Sequence, residues 1–249
     1  MYWNYRFRII ALVVLFSISM TNISSAQETS KELWPEIDIW WKVSPSWRFS
    51  LYIPLSKNIE TNYREGGFVM QTDYSWGKTN KILYMRMLDS ERAEKIKSMM
   101  LRSGYLVGYS LDDKGQTYSE NTAYTEFHLR IPLKGELLIS HRLRTDLRWL
   151  GQDNEFSQRF RYRFMIEKEL HAKKVSYVPY FNAEPYYDSR YNTVNRIRLI
   201  GGTSVSWSPR YALEGNFTYQ HDTRSSVTHL YALNVILHFY FETSSASKK

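Results

Sequence analysis

Beyond residue 26 the chain alternates apolar and polar side chains with a period of two almost to its end, and helical stripes of period 3.6 are nearly absent. That period throws successive side chains to opposite faces of a strand, so it commits the chain to sheet with one apolar and one polar face. In Leu33–Val43, Glu36, Asp38, Trp40 and Lys42 alternate with Ile37, Ile39, Trp41 and Val43. Ser44-Pro45-Ser46 then makes a tight turn, because proline presets a turn φ and cannot feed a central ladder. Trp47–Leu55 and Phe68–Trp76 alternate again.

The second half continues in the same way. Thr125–Ile131, Arg142–Trp149 and Arg159–Glu169 carry charged residues on one face, with Lys134-Gly135 as a short turn. Val175–Asp188 sets Tyr180, Asn182, Glu184 and Tyr186 on one face. Thr193–Ser206, Tyr211–His221 and Val227–Phe241 complete the series, and in the last strand Tyr231, Leu233, Val235, Leu237 and Phe239 oppose Asn234 and His238. These strands run about 9–15 residues, against the usual 5–6 of a globular sheet and the 9–11 that a tilted strand needs to cross a bilayer.

The expected fold is therefore all-β: a single antiparallel transmembrane β-barrel, apolar outside and polar inside. A soluble β-sandwich would alternate equally well, with its apolar face in the core, but strand length and aromatic strand ends favour the barrel. Gly77–Ser98 interrupts the pattern, with a candidate strand at Lys81–Asp89 and a candidate short helix at Ser90–Ser98. Treated as one excursion it leaves roughly eleven strands. Bacterial single-chain barrels have an even number, so the expectation is about twelve, with ten as the alternative.

Residues 1–26 read as a cleaved signal peptide: Arg6 and Arg8 precede an apolar stretch from Ile9 to Met20, and Ser24-Ser25-Ala26 supplies small residues for cleavage. The expected organisation is a signal peptide (1–26), a barrel domain (27–241) and a polar tail (242–249). Removing Arg6 and Arg8 lowers the formal net charge of +8 by two. The residual positive balance does not point to nucleic acid, which an exported protein seldom meets. After residue 26 no apolar run approaches the roughly 18 residues of a membrane helix, so a polytopic helical membrane protein is excluded, and a short N-terminal anchor is disfavoured because its apolar stretch is too short. With no cysteine there is no disulfide, thiolate metal site or cysteine nucleophile.

The chain resembles a bacterial family known only as a domain of unknown function, number twenty-four-ninety. The resemblance rests on Glu32-Leu33-Trp34-Pro35-Glu36 with Ser44-Pro45-Ser46-Trp47, on Arg159-Phe160-Arg161-Tyr162-Arg163, on Tyr187-Asp188-Ser189-Arg190 leading to Asn195-Arg196, and on Phe239-Tyr240-Phe241. It spans nearly all of residues 31–241 and implies an exported, barrel-like outer-membrane protein without an established activity. Outer-membrane barrels usually end on their last aromatic residue, whereas Glu242–Lys249 continues here as a polar tail.

No catalytic constellation emerges. His128, His141, His171, His221, His229 and His238 include no i,i+4 pair of the zinc-protease kind, and no metal or cofactor is expected. Ser140-His141 and Ser226 with His229 do not match the His-x-Ser order that outer-membrane phospholipases would require, so a lipid-modifying enzyme is the least favoured reading. Gly66-Gly67 and Gly201-Gly202 are isolated pairs, not a phosphate loop.

The informative residues are the arginines. Arg142, Arg144, Arg148, Arg159, Arg161, Arg163, Arg196 and Arg198 all fall on the polar face. Facing lipid would cost about 2–4 kcal/mol each at mid-bilayer, so this face must line the interior. Two arrangements fit. Unpaired guanidiniums would make a track for small acidic solutes in a narrow channel or binding barrel, with arginine use similar to that of acidic-oligosaccharide porins. Alternatively, pairing with Glu126, Asp146, Glu167, Glu169, Glu184 and Glu214 would fill a non-conducting, structural barrel. The expected partners are outer-membrane lipid and small acidic solutes.

Overall fold

The computed structural model describes residues 28–80, 96–112, 119–172 and 175–243. The segment read as a signal peptide, the strand candidate at Lys81–Asp89 and residues 244–249 of the expected tail lie outside these.

The described residues form twelve strands: β1 (Glu28–Lys42), β2 (Trp47–Asn58), β3 (Arg64–Asn80), β4 (Ile96–Ser110), β5 (Ser119–Leu133), β6 (Leu137–Leu150), β7 (Glu155–Lys168), β8 (Leu170–Ala172), β9 (Val175–Asp188), β10 (Thr193–Ser208), β11 (Tyr211–Asp222) and β12 (Val227–Glu242). Eleven of them close a barrel, each pairing with the next; β8 is a three-residue addition that pairs only with β9. Ile96, Lys97 and Ser98, expected at the end of a short helix, are strand residues at the start of β4.

The odd count has a geometric consequence. β1 and β12 run the same way, so the barrel closes through a parallel pair from Glu28↔Val227 to Lys42↔Glu242, while every other pair is antiparallel. The expected even, fully antiparallel wall is thus replaced by a mixed one. A parallel ladder is slightly weaker per residue, but it removes both free edges as completely as an antiparallel one. The β5–β6 turn is tightened by consecutive left-handed residues, Gly135 (φ 78°) and Glu136 (φ 60°).

Strand ends extend past the expected boundaries at β1, β2 and β3, where Glu28, Lys57, Asn58, Arg64 and Glu65 carry no apolar alternation yet remain in the ladder. The faces are as alternation predicts. Along β12, Leu233 and Val235 are exposed while Ala232, Ile236 and His238 are buried.

The outer surface is apolar over its whole circumference, with Leu33, Ile37, Phe49, Phe68, Met70, Leu101, Leu143, Phe160, Ile197 and Phe217 exposed. The buried side chains include Asp38, Asp73, Arg102, Glu126, Asp146 and Glu184. This is the inverse of a soluble sandwich and the distribution that lipid demands. Aromatic contacts ring both ends: Trp47–Tyr74 (4.9 Å) and Tyr74–Trp76 (5.7 Å) at one, Trp149–Phe156 (5.7 Å) and Tyr219–Tyr231 (5.3 Å) at the other. The end carrying the β2–β3, β4–β5, β6–β7, β9–β10 and β11–β12 connections is termed the upper mouth, and the opposite end the lower mouth.

Parallel closure has a direct test, since the chain lacks native cysteine. Leu33 and Leu233 are register partners on the outer face. Leu33→Cys with Leu233→Cys should oxidise to a disulfide, because neighbouring strands lie about 4.8 Å apart and disulfides need Cα separations of about 4.4–6.8 Å. Leu33→Cys with Leu237→Cys, offset by about 13 Å along the strand, should not. Cross-linking of the second pair but not the first would contradict the register.

Candidate functional site

All eight expected arginines sit at inward positions on β6, β7 and β10. Register places Arg142 opposite Arg163 and Arg144 opposite Arg161. Like charges in direct opposition destabilise a sheet, so the arrangement needs carboxylates between them.

Those carboxylates are present. Asp146, fully buried, meets Arg144, the Arg159 Nε at 2.8 Å and the Arg161 Nε at 3.2 Å. Glu126 meets Arg144 Nη1 at 2.8 Å, Arg142 Nη1 at 3.3 Å, Arg102 Nη1 at 3.3 Å and His128 Nε2 at 2.8 Å. Glu184 takes Arg142 and the Tyr186 hydroxyl. Arg148 bridges Glu120 (2.9 Å) and Asp188 (3.4 Å), and Arg196 pairs with Asp222 at 2.7 Å. Arg198 differs: it donates to the Gln220 amide oxygen at 2.7 Å and lies 5.3 Å over the Trp34 ring. Arg163 lines the central cavity described below.

Of the other expected acids, Glu214 accepts from the Tyr180 hydroxyl and from Asn216, and Glu169 accepts from Ser176 at 2.7 Å. Glu167 is buried on the same inner face. Tyr186 is a hub that sequence reasoning placed on the right face without assigning it a role. Arg159, Arg161, Arg196 and Arg198 stand 5.2–5.7 Å from its ring, within cation–π range.

Sequence reasoning also missed a second centre across β2–β4. Asp73 is held by Arg48 Nη2 at 2.7 Å and Arg102 Nε at 2.6 Å, and both guanidiniums lie over the Trp40 ring, at 4.8 and 5.7 Å. Arg48 and Asp73 occupy polar-face positions of strands already identified by alternation, so that signal was available. Arg102 lies on β4, where the inward row Met100, Gly104, Leu106, Gly108 hides the alternation.

Two cavities occupy the space between these centres. The upper one, about 200 Å³, is lined by Trp34, Glu36, Ser56, Glu65, Gly67 and Asn234 among others. The central one, about 270 Å³, is bounded by Glu36, Asp38, Trp40, Tyr52, Tyr124 and Arg142, and it shares Glu36 and Leu106 with the first. One wall depends on Gly104. A Cβ there would stand 2.4 Å from Tyr124 Cζ, so glycine lets the ring lie flat against β4 with Arg144 stacked 3.7 Å from its centre. Toward the lower mouth the interior fills. Met100, Leu138, Met165 and Val178 are buried there, Arg130 Nη2 reaches the Met100 sulfur at 3.2 Å, and Trp40, Ala212 and Tyr240 pack together with Tyr52.

Among the described residues no group of three or more His, Asp or Glu side chains is arranged to hold a metal ion. The His141 Nδ1 instead meets the Tyr162 hydroxyl at 2.7 Å, and His238 meets Asp38 at 3.0 Å and Glu214 at 3.6 Å.

Comparison with known proteins gives one family. The family model described as Protein of unknown function (DUF2490) matches residues 93–230. This stretch contains the Arg159–Arg163, Tyr187–Arg190 and Asn195-Arg196 motifs, and omits those at residues 32–47 and 239–241. No curated protein matches the chain. A solved structure described as a bacterial polysaccharide outer membrane secretin is similar at 10% identity and a TM-score of 0.44. The similarity covers 74% of this chain, which spans only 60% of the length of that one.

Because Glu126 is shared by three guanidiniums, its loss should be costly. Glu126→Gln should lower the unfolding free energy by about 3–5 kcal/mol, the range for breaking a buried ion pair. Urea titration of the protein in lipid vesicles measures it. A loss below about 1 kcal/mol would mean that the arginines do not depend on this carboxylate.

Proposed function

The chain belongs to the family described as Protein of unknown function (DUF2490), and from the interior of this member we propose an outer-membrane barrel that binds small polar solutes in a blind cavity and does not conduct. The observation that carries this reading is the packed lower end. Met100, Leu138, Met165 and Val178 are all buried there beside Arg130, and Trp40 and Tyr240 occupy the other side of the same layer.

Lipid residence is supported by the inversion of polarity, because a continuous apolar outer surface this size is unstable in water. The arginines act as packing in this reading. A charge taken from water needs a partner, and Asp146, Glu126, Glu184, Glu120, Asp188 and Asp222 between them hold six of the eight guanidiniums. Guanidiniums tied to fixed carboxylates in this way leave no continuous row of unpaired charge for a passing anion, so the structural alternative is preferred to an anion track. A barrel of eleven strands is also much narrower than the 16–18-stranded porins that leave an aqueous channel.

The test is electrical. In planar bilayers the wild-type protein should give no stepwise conductance, whereas the triple variant Met100→Ala, Leu138→Ala, Met165→Ala should give channel events. Stepwise ohmic current from the wild type, with anion preference, would restore the track.

A further inference from the structure

We propose that the central cavity is a binding site for a small zwitterion, an ammonium and a carboxylate on one short solute. The inference rests on the reading of the interior as a closed, solute-binding cavity, and names the class of solute.

The acidic groups of the cavities that no guanidinium reaches lie on one side. Glu36 and Glu65 line the upper cavity, and Glu36 with Asp38 lines the central one. No lysine or arginine among the described residues pairs with any of the three. Asp38 is fully buried; it shares a hydrogen bond with the neighbouring Glu36 carboxyl, and its one ionic contact among the described residues is the His238 Nδ1, at 3.0 Å from Oδ2. Among the described residues no N–H or hydroxyl group donates to its Oδ1. A buried carboxylate oxygen facing a cavity without a donor is a place for one, and an ammonium brings three.

The same cavity also offers donors that lack an acceptor. Trp40 Nε1 is buried without a hydrogen-bond partner, and so is the Nε of Arg142. Both side chains line the central cavity. An occupant that satisfies Asp38 Oδ1 as well as these two N–H groups must carry a donor and an acceptor. A diacid fails at Glu36 and Asp38; a diamine fails at Trp40 and Arg142.

Two further considerations agree. A zwitterion has no net charge, so it enters an interior whose own charges are largely paired without adding an unbalanced ion. Each cavity is smaller than the roughly 300–1,000 Å³ of drug-sized sites, which restricts the occupant to a few heavy atoms. The Tyr52 ring, edge to face with Trp40 at 5.2 Å, supplies a surface for its methylene stem.

The experiment is calorimetric titration of the full folded chain in detergent with glycine, 4-aminobutanoate, 1,4-diaminobutane and succinate. At least one of the two zwitterions should bind, and more tightly than either symmetric four-carbon solute. Glu36→Gln should weaken that binding about tenfold or more, the loss of one charge-assisted hydrogen bond. Trp40→Phe should weaken it too, whereas Glu155→Gln, on an exposed strand end, should leave it unchanged. Heat-dependent gel mobility checks that each variant is folded, and if Trp40→Phe does not fold, Glu36→Gln decides. Water as the sole occupant, seen as no binding by the folded wild type, overturns the proposal. Tighter binding of succinate or the diamine, or an unaffected Glu36→Gln, does so as well. A barrel that conducts yet binds a zwitterion refutes closure alone, and a closed barrel that binds neither refutes this inference alone.

Discussion

A charge inside a closed sheet has no water to fall back on, and the architecture follows from how Asp146 and Glu126 answer that constraint. Each is buried, and each is reached by guanidiniums from more than one strand: Asp146 from β6 and β7, Glu126 from β4 and β6. Without them, Arg142 would face Arg163 and Arg144 would face Arg161 across the β6–β7 ladder. With them, the opposed cations become the two sides of an ion cluster. Such clusters do not by themselves make a fold very stable, because desolvation consumes much of the Coulomb gain. They do make other registers worse, since a slip of one residue would turn the whole arginine row into the apolar outer surface.

The closing seam obeys the same rule. β1 meets β12 in parallel, and its inward row carries the ionic contacts His238–Asp38 and Lys42–Glu242 between register partners. Polar locks on the inside and apolar side chains on the outside continue across the seam the division seen elsewhere. The price of an odd strand count is that the barrel's first and last strands leave by opposite mouths.

Much of this was legible in the residues. Val175–Asp188 was read to its boundaries, and the faces of β12 follow from alternation alone, because lipid-facing and inward positions differ so strongly in polarity. The arginine row was legible for the same reason. β4 was harder: Met100, Gly104, Leu106 and Gly108 on its inner face are no more polar than Leu101, Tyr105 and Val107 on its outer face, so the period fades. The total of about twelve strands was legible too, but not its division into eleven wall strands and the short β8, because a parallel seam evades the parity rule. Pairing was beyond reach for a different reason. Whether Arg142 is free or tied to Glu184, three strands further along the chain, depends on register between strands and side-chain reach. The contrast between arginines paired with carboxylates and Glu36 and Asp38, which no guanidinium meets, is a property of geometry, and Asp38 was visible in sequence only as one polar residue among many.

The central claim is that carboxylates and guanidiniums in this interior are committed to one another. A double-mutant cycle of Asp146→Asn and Arg159→Gln, read as unfolding free energy in lipid vesicles, measures that commitment directly. Paired groups should give a coupling energy of at least about 1 kcal/mol, with Arg159→Gln costing less in the Asp146→Asn background than alone. Additivity within about 0.3–0.5 kcal/mol would show that the arginine does not depend on the carboxylate, and would contradict the account.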